Sequence, residues 1–186
     1  KKIDVTGKSP ELIFAEVMSE YSLGVEKGMI KNIYFSEEVK DVEGVMVSET
    51  ISSPRLLGLL DFRVPEILTR ALDEDFMVGF FGEEKGVTPF LVLKVSPHDS
   101  GLAGILLWEK KLPYFFDKAF GITVSATSSP QIVFRDVVIE GRDVRTGEMG
   151  GVKGISYTFA DANTLIIAGS RSALEELLAK YSGRSR

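Results

Sequence analysis

The side chains able to do chemistry are few. His98 is the only histidine, and there is no cysteine. In Pro97-His98-Asp99-Ser100 a base, an acid and a hydroxyl stand side by side. Hydrolytic triads are assembled across space and not from sequence neighbours, and no Gly-x-Ser-x-Gly elbow is present. The stretch reads instead as a turn in which Asp99 or Ser100 caps a helix starting near Gly101. Paired acids occur at Glu37-Glu38, Asp73-Glu74-Asp75, Glu83-Glu84 and Glu175-Glu176. Glycoside chemistry needs two carboxyls facing each other across a cleft. Acids adjacent on turns and helix ends read as solvated surface.

Metal chemistry finds no support either. One histidine without cysteine leaves no transition-metal set. Asp73-Glu74-Asp75 lacks the alternating ligands, glycine turn and distal glutamate of a calcium loop. Gly82–Gly86 and Gly147–Gly154 are glycine-rich, but neither has the phosphate-loop or dinucleotide-loop spacing. Both lie between strand patterns and read as hairpin turns. The phenylalanines at 76, 80, 81, 90, 115, 116, 120, 134 and 159, with Trp108, offer a ligand-lining set or a core, and their strand and helix spacing favours the core. Arg135, Arg142, Arg145 and Lys153 form a basic stripe interleaved with Asp136, Glu140, Asp143 and Glu148. That interleaving favours cross-strand ion pairs over a phosphate-binding face. No catalytic, cofactor-binding or metal-ligating residue is assigned, and no cofactor is expected.

Composition sets the frame. The 186 residues suffice for one domain with a sizeable core, and 44% hydrophobic with 26% charged is ordinary for a globular chain. Twenty-two basic against 27 acidic residues give −5, which disfavours nucleic acid as a partner. Asn32, Asn163 and Gln131 are the only side-chain amides, a scarcity shared by thermophile proteins and by GC-rich coding. The longest apolar run, Gly101 to Trp108, is well short of the roughly 18 residues of a membrane span.

The elements that must position these residues centre on 75–116. Phe76–Phe81 and Phe90–Val95 read as strands around a turn, followed by a helical pattern carrying Leu102, Ile105, Leu106, Glu109 and Leu112. Upstream lie a short strand at Ile3–Val5, a helix opened by Ser9-Pro10, strands near 29–35 and 45–47 separated by an acidic turn at 37–41, a helix opened by Ser53-Pro54 and another from Pro65. Pro113 interrupts the helical pattern, and Ala126–Pro130 is a linker by composition. Strands at 132–139, 155–159 and 165–167 follow, then a helix at 170–181 with Ser172 and Glu175 as a capping box. The expected fold class is α+β: a mainly antiparallel sheet with helices packed on one face and a ββα unit that occurs twice. Residues 1–186 form one such domain, divisible near 73 into an N-terminal βαββα part (1–72), a ββα-βββα core (73–182) and a tail (183–186).

The phrases Asp75–Gly79, Pro89–Val95, Trp108-Glu109-Lys110, Arg142–Arg145 and Asn163–Ile167 resemble an uncharacterised family of bacterial proteins in which such a domain follows a single membrane span. The resemblance implies an extracytoplasmic domain, attached to the membrane only through a segment upstream of Lys1, with other envelope proteins as partners. Residue 1 being Lys and not Met fits that expectation, and a cytoplasmic location is the alternative. The functional expectation is a non-enzymatic interaction or structural domain. A ligand-binding domain with an aromatic pocket and a carboxylate-dependent hydrolase are the alternatives.

Overall fold

The computed structural model describes residues 1–120, 132–139, 141–149 and 152–183. In chain order these form β1 (Lys2–Asp4), α1 (Pro10–Ser22), β2 (Ile30–Lys40), β3 (Met46–Thr50), α2 (Ser53–Leu59), α3 (Glu66–Ala71), β4 (Leu72–Glu83), β5 (Gly86–Val95), α4 (His98–Trp108), α5 (Leu112–Phe120), β6 (Val133–Ile139), β7 (Arg142–Met149), β8 (Val152–Asp161), β9 (Thr164–Ala168) and α6 (Arg171–Tyr181). One sheet runs in the order β1-β2-β4-β5-β9-β8-β7-β6, with β3 added to β2. Among the described residues only β1 and β2 pair in parallel; the other pairs are antiparallel. The α+β class with a mainly antiparallel sheet is therefore what the chain adopts. The expected linker at 126–130 lies outside the described residues.

Strand alternation sorts the apolar residues into two layers. On β5, Leu91, Leu93 and Val95 join one buried cluster, which also takes Ile13, Leu56, Leu57, Leu68, Ile105 and Phe116 from α1 to α5. Phe90 and Val92, pointing the other way, join a second cluster with Leu174, Leu177 and Leu178 of α6. The expectation of helices on one face thus holds for α1–α5, while α6 lies on the opposite face. The reason is in the central strands: β9 is buried at every position, and a strand apolar on both sides needs cover on both sides. Both expected ββα units exist, β4-β5-α4 and β8-β9-α6. A rotation exchanging the antiparallel neighbours β5 and β9 about the sheet normal would keep both helices on one face. Their placement on opposite faces leaves the two units alike in element order alone.

Local sequence explains most of the boundaries. Ser9 and Pro10 start α1, and Pro113 sits in the first turn of α5, where its missing N–H removes no helix bond. The cap of α2 is Ser52, whose hydroxyl accepts from the Arg55 N–H, so Ser53 is already helical; its own hydroxyl donates to the Asp73 carbonyl at 2.6 Å. The α6 cap is Ser170, accepting from the Ala173 N–H at 3.0 Å, and not the expected Ser172. The acidic stretch at 37–41 is not a turn up to Asp41: β2 continues to Lys40, paired with β3. The turn begins at Asp41, whose carboxylate accepts from the N–H groups of Glu43 and Val45, both at 2.9 Å.

The helix α4 shows how packing overrides a simple apolar stripe. Its buried positions are Gly101, Gly104, Ile105 and Trp108. A Cβ on Gly104 would stand 2.5 Å from the Leu68 Cβ and 2.7 Å from its Cα, so only glycine allows α3 this close. The close approach rotates α4 until Leu102, Leu106 and Leu107 are 38%, 43% and 64% exposed. Beneath it the Trp108 indole N–H donates to the Phe62 carbonyl at 3.3 Å.

Candidate functional site

Leu102 and Leu106 of α4 form one wall of a cleft of about 570 Å³. The opposite wall and floor come from β6, β7 and β8, contributing Asp136, Arg145, Tyr157 and Phe159. Alternation decides which groups reach it: Tyr157 and Phe159 share the α4 side of β8, and Asp136 faces Arg145 across the β6–β7 ladder.

Four side chains lock together there. The Arg145 guanidinium donates from Nε to Glu109 Oε1 at 2.7 Å and from Nη2 to Glu109 Oε2 at 3.0 Å, the bidentate fork that suits arginine. Its Nη1 donates to Asp136 Oδ1 at 3.1 Å. The Tyr157 hydroxyl donates to Glu109 Oε1 in a short bond. Glu109 follows the last turn of α4, so the cluster ties that helix to β6, β7 and β8. Hydrogen bonding to Glu109 holds the Arg145 guanidinium more firmly protonated than usual. Burial, reinforced by Glu109, pushes the Tyr157 hydroxyl far above its ordinary range. A tyrosine so placed keeps its proton and serves as a donor, not as a base.

The groups singled out from sequence fall as follows. His98 is the first residue of α4, with no side-chain cap before it, so the expected cap by Asp99 or Ser100 is absent and the helix starts earlier. Its Nδ1 lies 3.1 Å from the Ala162 carbonyl oxygen, and its ring meets Phe159 edge-on at 4.4 Å. A carbonyl only accepts, so Nδ1 carries the proton. His98 is on the rim of the cleft, but its polar contact is to backbone. The paired acids are surface partners: Glu37 takes Arg55 at 2.6 Å, which holds its carboxyl below the usual range, Glu84 takes Lys27 at 3.2 Å and Glu175 takes Arg171 at 2.8 Å. Glu83 accepts from the Ser170 hydroxyl at 2.9 Å and ties the β4–β5 turn to α6.

The phenylalanines pack mostly on one another. Phe62, Phe115, Phe116 and Phe120 form a chain of ring contacts at 4.4 to 5.7 Å, and the void beside them measures about 20 Å³, room for a water at most. Cross-strand ion pairing within the basic stripe is present: Arg145 with Asp136, and Arg135 with Glu148 at 3.7 Å. Arg142 instead donates to the Ala160 carbonyl at 2.5 Å. Glu140, Gly150, Gly151 and the side chain of Lys153 lie outside the described residues. Gly82 and Gly86 flank the β4–β5 turn.

Glu109 and Tyr157 are the members that sequence reasoning does not single out. A signal existed for Glu109: it sits in register with Leu102, Ile105 and Leu112, an acid in an apolar stripe. Such an acid needs a cation facing it, and the helical neighbours three and four residues away, Ile105, Leu106, Leu112 and Pro113, supply none. Among the described residues no three His, Asp or Glu side chains converge as metal ligands would, and no helix is long and apolar enough to cross a membrane. No family model, curated protein or solved structure matches the chain.

Proposed function

We propose that the chain is a non-enzymatic interaction domain of a bacterial envelope protein, extracytoplasmic in location, and that a partner protein docks in the α4 cleft. The observation carrying this reading is that the charged groups of the Glu109–Arg145–Asp136 cluster are paired with one another. Glu109 takes two donors of Arg145 and the Tyr157 hydroxyl, Asp136 takes a third, and Nδ1 of His98 is engaged with backbone. Activation of a nucleophile needs a base held against it; among the described residues no hydroxyl or carboxylate is hydrogen-bonded to the His98 ring, and the cleft offers fixed charge, shape and the exposed Leu102 and Leu106. Apolar side chains rimmed by satisfied polar groups suit protein recognition. The envelope location is supported by the resemblance of sequence phrases.

The test is selection of a displayed random-peptide library on the immobilised domain. Binders are expected to share a sequence pattern and to lose at least about tenfold in affinity against the variant carrying Leu102→Asp and Leu106→Asp. Turnover in a panel of ester, amide and glycoside substrates, falling about a hundredfold in His98→Ala, is the result that replaces this reading with the hydrolase one.

A further inference from the structure

The α6 face of the sheet is only partly covered. Leu174, Leu177 and Leu178 lie against Phe90 and Ile166, and the other five helices bury their apolar residues on the opposite side. Beside α6, over β4, β5 and β9, an open groove of about 350 Å³ remains. Its floor is Met77, Phe90, Val92 and Ile166, with Leu177 as the wall. Met77 is 41% exposed.

The groove is charged at one end. Lys94 and Lys180 line it there, with Thr164 and Tyr181. The Lys94 ammonium donates to the Thr164 hydroxyl at 2.6 Å and stands 5.9 Å from the centre of the Tyr181 ring. Among the described residues neither lysine has a carboxylate within ion-pair distance. Two acids are near: Asp75 lines the same end, and Asp161 is held by the Tyr181 hydroxyl and the Asn163 N–H. An ammonium carries three donors, and Lys94 uses one of them on a neutral hydroxyl. A half-buried cation without an ion pair, at the mouth of an apolar groove, is complementary to a ligand with an apolar body and an anionic end.

We propose that this groove binds a single-chain anionic amphiphile, a long-chain fatty-acid carboxylate. The alkyl chain lies along Met77, Val92 and Ile166, where no polar side chain asks for a partner, and the carboxylate meets Lys94 and Lys180. The volume sits at the small end of the roughly 300–1,000 Å³ typical of ligand sites, which suits one chain.

The experiment is calorimetric titration of the whole chain with monomeric dodecanoate, dodecanol and dodecyltrimethylammonium, alongside flotation with phosphatidylglycerol vesicles. Dodecanoate is expected to bind, with the alcohol and the cation weaker by about tenfold or more, the scale of a lost charge-assisted contact. Lys94→Met should weaken dodecanoate by a similar factor and leave dodecanol unchanged; Lys180→Met, on an exposed side chain, is the second variant should the first fail to fold. Met77→Asp, at a half-exposed position, should weaken all three. Failure of dodecanoate to bind, equal affinity for the alcohol, indifference to Met77→Asp, or binding to vesicles without binding to dodecanoate would each overturn the proposal.

Discussion

Along β5, Leu93 and Val92 are neighbours of nearly the same chemistry. Leu93 is fully buried in the cluster under α1–α5, whereas Val92 is only partly covered, in the groove beside α6. The sheet is apolar on both sides, but among the described residues five helices serve one face and one serves the other. Cover on each face ends where its helices end. The groove and the cleft arise in this way: the groove where α6 leaves Met77 of β4 uncovered, and the cleft where α4, held close to α3 by Gly104, leaves β6 and β7 uncovered.

The largest expected effect separates the two faces directly. Leu93→Ala should cost about 2–5 kcal/mol in chemical denaturation, as for a fully buried leucine, and Met77→Ala under about 0.5 kcal/mol. Equal costs would mean that the groove is closed in the free protein.

Gly104→Ala tests the close helix contact. On an exposed helix this substitution stabilises by up to about 1 kcal/mol. Here the Cβ would collide with Leu68, and a loss of about 1–3 kcal/mol is expected. A gain would show that α3 and α4 separate without difficulty, and with it the explanation of the exposed leucines would fail.

Those two positions also mark what the sequence reveals and what it conceals. The β4-β5-α4 unit is legible because its turn and its apolar runs are local, and so is the start of α1, where Ser9 and Pro10 act within one turn. The Arg145–Asp136 pair follows from interleaved charge on adjacent strands. The rotation of α4 is not legible, because Gly104 acquires its meaning only from Leu68 on another helix. Nor is the Glu109–Arg145–Tyr157 association, whose members are 36 and 48 residues apart. The acids of β2 read as a turn, since nothing nearby announces that β3 and Arg55 will pair with them.

Tyr157→Phe sharpens the comparison within the cleft. It removes one donor to Glu109 while keeping the ring, and should cost about 0.5–3 kcal/mol, from the range for hydrogen bonds to neutral and charged groups. No change in stability would indicate that the cluster is loose and that Glu109 is available for other work.

The smallest effect belongs to the charged end of the groove. The Tyr181 hydroxyl, with the Asn163 N–H, holds Asp161 down at about 2, against an ordinary 3.8. A carboxyl lowered on folding adds stability above its unfolded value and loses it as pH falls. The contribution should therefore fade between about pH 4 and pH 2, and it is small because Asp161 is exposed. Asp161→Asn should flatten that part of the stability–pH curve and leave neutral pH nearly unchanged; an unaltered acid limb would contradict the assignment.

The most direct test of the account places a photo-crosslinking benzoylphenylalanine at Leu106, in the α4 cleft, and separately at Met77, in the α6 groove, within producing cells. The account predicts a discrete protein adduct from position 106, abolished by Leu102→Asp, and no protein adduct from position 77. Protein capture at position 77 with none at position 106 would contradict it.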